Sequence, residues 1–359
     1  MTKITKIMLA VITSVALSTA SFAGELSVTG GAKATYSIMS SDGLSSQNEQ
    51  GKGLGLTNEF TLGASGELDN GYAWNYAIDM DNGGTQDDGK LTVKLNDLGT
   101  VGVFISEGNL STKYQFDASA YGVGSDTGYG GSTATADAMQ YGSGIHSYNN
   151  VQYHTPADLL PYSTSFKVAY SPGGDGDVSD TSSGNARGSA SEASQSVTQY
   201  QLTTAPITGL NIGLSYLTKD SNASFQEYET GSAAVKYTYG AFTAGYAQTR
   251  IAPDIEAMAT GLAIINRYDN MAFSLGYKVN DDLSVSYTEE DSERSISTQG
   301  AITHNIGSGD NVVMNISTIQ AAYTMGGMTL SLSQKDIEND SYTNKKDMKE
   351  MLFAVAMAF

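Results

Sequence analysis

The chain contains no cysteine, and this absence removes several kinds of site at once. Disulfides, zinc-thiolate centres and thiol nucleophiles are all impossible. Histidine is nearly as scarce: His146, His154 and His304 are the only three, and none lies in a recognisable catalytic motif. A hydrolase, protease or phospholipase needs a histidine with a serine or aspartate partner. We therefore predict no enzymatic activity and no catalytic residues.

Basic residues are few, with 19 Lys and Arg against 38 Asp and Glu. Such an acidic chain is not expected to bind nucleic acid or an anionic membrane surface. Long apolar runs are missing as well, since nothing after residue 23 reaches the roughly 18 consecutive apolar residues of a membrane helix. An α-helical membrane protein is thereby excluded. A membrane β-barrel is not, because each of its strands needs only about 9 to 11 alternating residues.

What the chain does have is an all-β composition, with 40 Gly, 22 Tyr and only 5 Pro. The last residues show the pattern most clearly, because large apolar side chains alternate with alanine at period two. The large ones are Met351, Phe353, Val355, Met357 and Phe359. This ending resembles the closing strand of Gram-negative outer-membrane barrels. The resemblance implies that Phe359 is an assembly signal read by the barrel assembly machinery.

The first 23 residues have the features of a secretory signal peptide. Lys3 and Lys6 precede an apolar run from Ile7 to Leu17, and small residues flank a cleavage position before Gly24. An N-terminal transmembrane anchor is the alternative, but the run is too short to span a bilayer. We expect export through a cleaved signal peptide at 1–23, followed by a single domain at 24–359.

Alternating segments recur along the whole domain, about sixteen in all, and their connections alternate in length. Short connections such as 69–71 and 96–99 take turns with long ones such as 39–53, 107–147, 171–196, 251–267 and 291–311. We predict an all-β fold: a transmembrane antiparallel β-barrel with short periplasmic turns and long extracellular loops. A soluble β-sandwich, the alternative, would not sort its connections in this way. Sixteen strands leave a water-filled bore.

A family resemblance is carried by the strand after the longest loop, which reads Asn149-Asn150-Val151-Gln152-Tyr153-His154-Thr155-Pro156. With the strand rhythm and the C-terminus, this motif resembles the Gram-negative trimeric porin family, the general diffusion porins, across 24–359. The resemblance implies that the third long loop, 107–147, folds into the lumen as a constriction. It also implies a homotrimer in outer-membrane lipid that passes small hydrophilic solutes and cations.

Acidic loop residues facing a polar wall are the site that this resemblance implies. The acidic constriction residues would be Glu107, Asp117, Asp126 and Asp137. The residues predicted to line the wall are Lys33, Glu59, Lys94, Gln152, His154, Lys167 and Lys236. Family members usually carry arginine around the motif strand, where this chain has Gln152 and Ser147. An excess of carboxylates concentrates cations in a narrow pore, so we expect cation preference.

No cofactor or metal site is predicted, although the loops hold many carboxylates. Residues 175–180 resemble the start of a calcium loop, but Asp180 and Ala186 stand where an EF-hand needs Gly and Glu. Looser calcium binding by the loops stays open. Two functions also stay open: a passive porin, and a structural or adhesive barrel with a plugged bore that binds an external partner through its 171–196 loop.

Overall fold

The computed structural model describes residues 24–42, 51–81, 85–119, 144–157, 159–172, 196–220, 226–255, 263–298 and 312–359. The predicted signal peptide lies outside these residues. Sixteen strands are formed: β1 (Glu25–Asp42), β2 (Gly51–Glu67), β3 (Ala73–Asp81), β4 (Thr85–Lys94), β5 (Thr100–Ile105), β6 (Asn150–His154), β7 (Ser165–Ser171), β8 (Val197–Thr204), β9 (Leu210–Lys219), β10 (Tyr228–Tyr239), β11 (Phe242–Ala252), β12 (Ala263–Lys278), β13 (Leu283–Thr298), β14 (Val313–Met325), β15 (Met328–Glu338) and β16 (Asp347–Ala358).

The strands close into one antiparallel barrel in which each pairs with its sequence neighbours, so the predicted sixteen-stranded fold is confirmed. The C-terminal strand β16 closes the barrel against β1, with Ala354 opposite Thr35 and Phe353 opposite Tyr36. Short 3₁₀ turns occupy 96–98, 145–147 and 340–342. Among the described residues, no helix is long and apolar enough to cross a membrane.

The period-two pattern separates an outer apolar face from an inner polar one. On β16, Met351, Phe353 and Met357 are 43 to 51 % exposed on the outside, whereas Leu352 and Ala354 are buried inside. Partners across a ladder share a face. The inward face can therefore be followed around the barrel from strand to strand, and Gln, Ser, Thr, Gly and Ala recur on it.

Several strands are longer than the sequence pattern predicts. We expected loops at 251–267 and 291–311, but β12 already begins at Ala263 and β13 continues to Thr298. Arg267, Asp291 and Glu293 lie in this added length, and polar residues there resemble a loop in sequence. The backbone nevertheless continues its ladder, because a strand needs an apolar outer face only where hydrocarbon covers it.

Candidate pore constriction

The segment after β5 enters the barrel instead of leaving it. From Glu107 to Ser119 the chain bonds to the inner wall on one strand after another. Its partners are the side chains of Asn150 on β6, Gln201 on β8, Ser215 on β9, Ser274 on β12 and Gln320 on β14, and the carbonyl oxygen of Ser232 on β10. The described part of the predicted constriction loop, 107–119 and 144–147, therefore lies in the lumen. Residues 120–143 lie outside the described residues.

Buried amide side chains on β6 and β8 hold the two ends of this loop. Gln152 Nε2 donates to the carbonyl oxygen of Gly108 at 2.6 Å, and Gln201 Nε2 donates to that of Leu110 at 2.9 Å. On the returning chain, the Ile145 N–H donates to Gln199 Oε1 at 2.8 Å. Each amide satisfies a backbone group that the loop would otherwise bury unpaired. The loop ends are thus fixed to the wall.

The middle of the loop rests on a strip of very small inward residues, which we call the loop seat: Gly213, Ala234, Gly245, Ala247, Ala272 and Gly276. Phe116 is completely buried and packs on its three alanines. A Cβ added at Gly245 would overlap the Phe116 carbonyl oxygen, and one at Gly276 would stand 2.5 Å from that of Ala118. Only glycine lets the loop backbone approach the wall this closely.

Two of the four predicted loop acids can be placed, and both meet lysine. Glu107 forms a short ion pair with Lys90, an inward residue of β4. The Asp117 carboxylate accepts a hydrogen bond from the Ser119 N–H at 2.8 Å. The backbone carbonyl oxygen of Asp117 accepts one from Lys236 Nζ at 3.3 Å. Asp126 and Asp137 lie outside the described residues.

The predicted wall residues fall into two groups. Lys33, Glu59 and Lys94 occupy exposed inward positions on β1, β2 and β4. Gln152, in contrast, is only 1 % exposed beneath the loop, where it bonds to Gly108. A residue so deeply buried does not line a water-filled passage. Its role in this structure is to anchor the loop.

His154 and Lys167 are ladder partners on the inner faces of β6 and β7. His154 Nε2 lies 2.8 Å from Gln152 Oε1, and its ring stacks on Phe104 with the centroids 6.2 Å apart. Both side chains are about half buried. His154 therefore helps to hold the Gln152 side chain in place, and Lys167 lies next to it on the periplasmic side of the loop anchor.

His146, near the end of the loop, lies beside Lys113 inside the barrel. Burial, and secondly the positive charge of Lys113, lower the pKa of His146 below its ordinary value of 6.5. Its Nδ1 is buried and forms no hydrogen bond. The neutral imidazole is therefore the form that suits the docked loop.

Inward positions of the described strands carry charged residues of both signs in similar numbers, and Lys335, Glu290 and Glu350 among them are buried. The inward basic residues are Lys33, Lys90, Lys94, Lys167, Lys219, Lys236, Lys278, Arg294 and Lys335. The inward acidic residues are Glu25, Glu59, Glu67, Asp79, Asp88, Glu290 and Glu350. The acidic excess of the chain therefore does not reside on this wall.

Comparison with known families decides the identity of this barrel. A family model described as Gram-negative porin matches residues 7–330. The chain belongs to the Gram-negative porin family. The porin is accordingly a channel of the bacterial outer membrane, and the predicted family and location are confirmed. A search of curated protein sequences finds no match.

Solved structures show the same fold at low sequence identity. OmpT, an outer membrane protein of Vibrio cholerae, aligns with a TM-score of 0.63 and 11 % identity, covering 95 % of this porin and 99 % of OmpT. Salmonella typhi OmpF, solved with daunomycin, gives 0.62 and 11 %, covering 94 % and 98 %. An anion-selective porin from Comamonas acidovorans gives 0.61 and 11 %, covering 94 % and 100 %.

Sequence reasoning missed the loop seat, although it is encoded at inward positions. On β9 to β12 the small residues recur at the parity that faces the lumen, where other strands carry Gln, Thr or Lys. This signal could have been read once the faces were assigned. The anchoring role of the buried amides could not, because Gln at an inward position fits equally well in a pore lining.

Proposed function

We propose that this porin is a passive diffusion channel for ions and small hydrophilic solutes, narrowed by the loop at 107–147. The observation that carries the proposal is the described part of that loop, held inside a sixteen-stranded barrel by buried amides and a seat of small residues. A barrel of this size has a bore too wide for its own side chains to fill. A fixed loop then sets the size limit, and we assign no catalytic role to any residue.

Cation preference is part of the proposal, and its source is the constriction loop and the outer loops. The described wall carries lysines and carboxylates in similar numbers, so it supplies little bias of its own. The chain as a whole has a formal net charge of −19. Carboxylates near the entrance raise the local cation concentration, and salt screens this effect. The preference should therefore be strongest at low ionic strength.

We further propose a homotrimer in outer-membrane lipid, inserted by the barrel assembly machinery. The outward positions of β1 include Gly30, Ala32 and Ala34, which would let a second barrel approach closely. Phe359 supplies the C-terminal aromatic signal. Calcium binding by the loop carboxylates remains a proposal as well. Among the described residues, no group of three or more His, Asp or Glu is placed to hold a metal ion.

Single-channel recording of the purified protein in a planar bilayer under a salt gradient tests the proposal directly. We expect ohmic current steps in groups of three, with a reversal potential that favours cations. Silent bilayers from correctly folded protein would refute the diffusion channel and support the plugged barrel that binds a partner. An anion-selective reversal potential would refute only the cation preference.

A further inference from the structure

The loop between β15 and β16 turns into the mouth of the barrel. It comprises residues 339–346, and Tyr342 at its tip is only 5 % exposed. The Tyr342 hydroxyl lies 2.6 Å from Ser292 Oγ on β13, and its ring centroid lies 5.6 Å from that of Tyr268 on β12. Arg294 Cζ stands 4.8 Å from the same ring. Because all three partners are inward residues two or three strands away, this loop lies across the inner face of β14.

Internal bonds give the inserted loop a defined shape. Lys346 Nζ and Asp340 Oδ2 form an ion pair at 2.6 Å, and the Asp340 carboxylate is fully buried. Asn339 Nδ2 donates to the Val313 carbonyl oxygen at 2.9 Å, which ties the loop to β14. Tyr342 itself has a φ of 56°, a left-handed conformation that a bulky side chain rarely adopts. Surrounding contacts must hold it there.

Tyr342 belongs to an apolar cluster on the inner wall, where a water-filled channel would ordinarily show polar residues. Its buried members are Met314, Ile316, Ile337, Tyr342 and Met348. Tyr114 of the constriction loop packs against this cluster. Tyr114 also packs against the second cluster, which contains Phe116 and the alanines of the loop seat. One side chain thus joins the two inserted loops.

We propose that residues 339–346 form a latch that holds the constriction loop against the inner wall. Tyr342 is the positioning residue of this latch and acts through Tyr114. The latch closes the apolar cluster from the extracellular side, and Tyr114 packs between this cluster and the cluster that contains Phe116. A constriction loop held only by the loop seat would fluctuate more in position, and the open-channel current would become noisier as a result. The inference rests on the channel function proposed above.

The test compares single-channel recordings of Tyr342→Ala and Tyr162→Ala with the wild type. Tyr162 is a matched control, since its φ is 60° but its side chain is 67 % exposed in a periplasmic turn. We expect Tyr342→Ala to raise the variance of the open-channel current and the frequency of closures. Tyr162→Ala should leave both unchanged. Equal noise in all three proteins would overturn the proposal.

A double variant separates a latch from two independent loop effects. If Tyr342 acts through Tyr114, the Tyr114→Ala/Tyr342→Ala protein should be no noisier than the noisier single variant. Noise that adds in the double variant would overturn the coupling. Tyr342→Phe keeps the ring and loses only the bond to Ser292, so its noise should fall between the wild type and Tyr342→Ala.

Folding is checked on the same samples by the heat-induced mobility shift of the barrel on gels. If Tyr342→Ala does not fold, Tyr342→Phe carries the test, and wild-type noise in Tyr342→Phe would then overturn the latch. Failure of the channel proposal is distinguishable, because the wild type itself would then be silent. Failure of the latch leaves a conducting wild type and quiet variants.

Discussion

Replacing Gly245 by alanine tests whether the loop seat sets the width of the pore. The alanine Cβ would overlap the Phe116 carbonyl oxygen, so the loop must move away from β11. The backbone of Gly245 itself does not require glycine, because its φ is not in the left-handed region. Any effect therefore reports the displaced loop and not strain in the strand.

The size of the effect follows from what the displacement undoes. Phe116 is fully buried, and burying a phenylalanine side chain is worth about 1.5 to 3 kcal/mol. A loss of about 2 kcal/mol shifts the ratio of docked to undocked loop about 30-fold. Thr112 N bonds to Ser215 Oγ at 3.0 Å and Ala118 N to Ser274 Oγ at 3.0 Å, on either side of Phe116. With both flanks held, Phe116 can only move towards the pore axis.

We expect Gly245→Ala to lower the single-channel conductance and to make the current noisier. Gly276→Ala should show a smaller change of the same kind, because its alanine Cβ would lie 2.5 Å from the Ala118 carbonyl oxygen. Gly231→Ala on the neighbouring β10 is the control, because its Cβ would find its nearest neighbour at 3.8 Å. Wild-type conductance in Gly245→Ala would refute the claim that the loop seat sets the width of the pore. A higher conductance would show that the loop leaves the lumen and that Phe116 does not move towards the pore axis.

Three further predictions concern charge, pH and assembly. Glu107→Gln removes the partner of Lys90 and should shift the reversal potential towards anions with little change in thermal stability, since a partly exposed ion pair contributes about 1 kcal/mol or less. The lowered pKa of His146 means that the docked loop favours the neutral imidazole, so loop docking is at full strength above about pH 6.5 and weakens as pH falls through the lowered value. Channel closures should therefore become more frequent as pH falls from about 7.5 to about 5. His146→Gln should abolish this increase. Phe359→Ala removes a ring that is 62 % exposed and 5.5 Å from Phe60, so the detergent-refolded barrel should keep its melting temperature while outer-membrane levels of the protein fall.

The barrel could be predicted from sequence because its determinants are local. Alternation along each strand fixes two faces, and a regular succession of short and long connections fixes the order of the strands. Strand ends were harder, as β12 and β13 show, because a polar outer face above the hydrocarbon looks the same in a strand and in a loop. Errors in the predicted strand ends do not change the predicted number of strands, but they do change the predicted lengths of the loops.

The constriction was only partly predictable because it depends on contacts between distant residues. The length of 107–147 marks it as a functional loop. Its route along the wall is set by residues a hundred or more positions away, such as Ser232 and Ser274. The inserted loop at 339–346 gave no signal, since its eight residues are polar apart from Tyr342. One tyrosine in a polar loop does not show which way the loop turns.

Net charge is a poor guide to selectivity in this barrel, because much of the negative charge faces outwards. Glu289, Asp291 and Glu293 lie on the outer face of β13, and Asp269 beside them is bonded by Arg250 at 2.5 Å. These groups stand on the extracellular parts of long strands, where they meet water or lipid headgroups and not the solute in the pore. The inner wall of the same strands is mostly uncharged, and its charged side chains, Lys278, Arg294 and Glu290, are of both signs. A variant that neutralised all three β13 carboxylates should therefore change the formal charge by three and leave the reversal potential nearly unchanged. Glu107→Gln changes the formal charge by only one, but it should shift the reversal potential. If the three outer substitutions shifted the reversal potential more than Glu107→Gln, the field of the whole chain would outweigh the constriction, and selectivity would follow net charge after all.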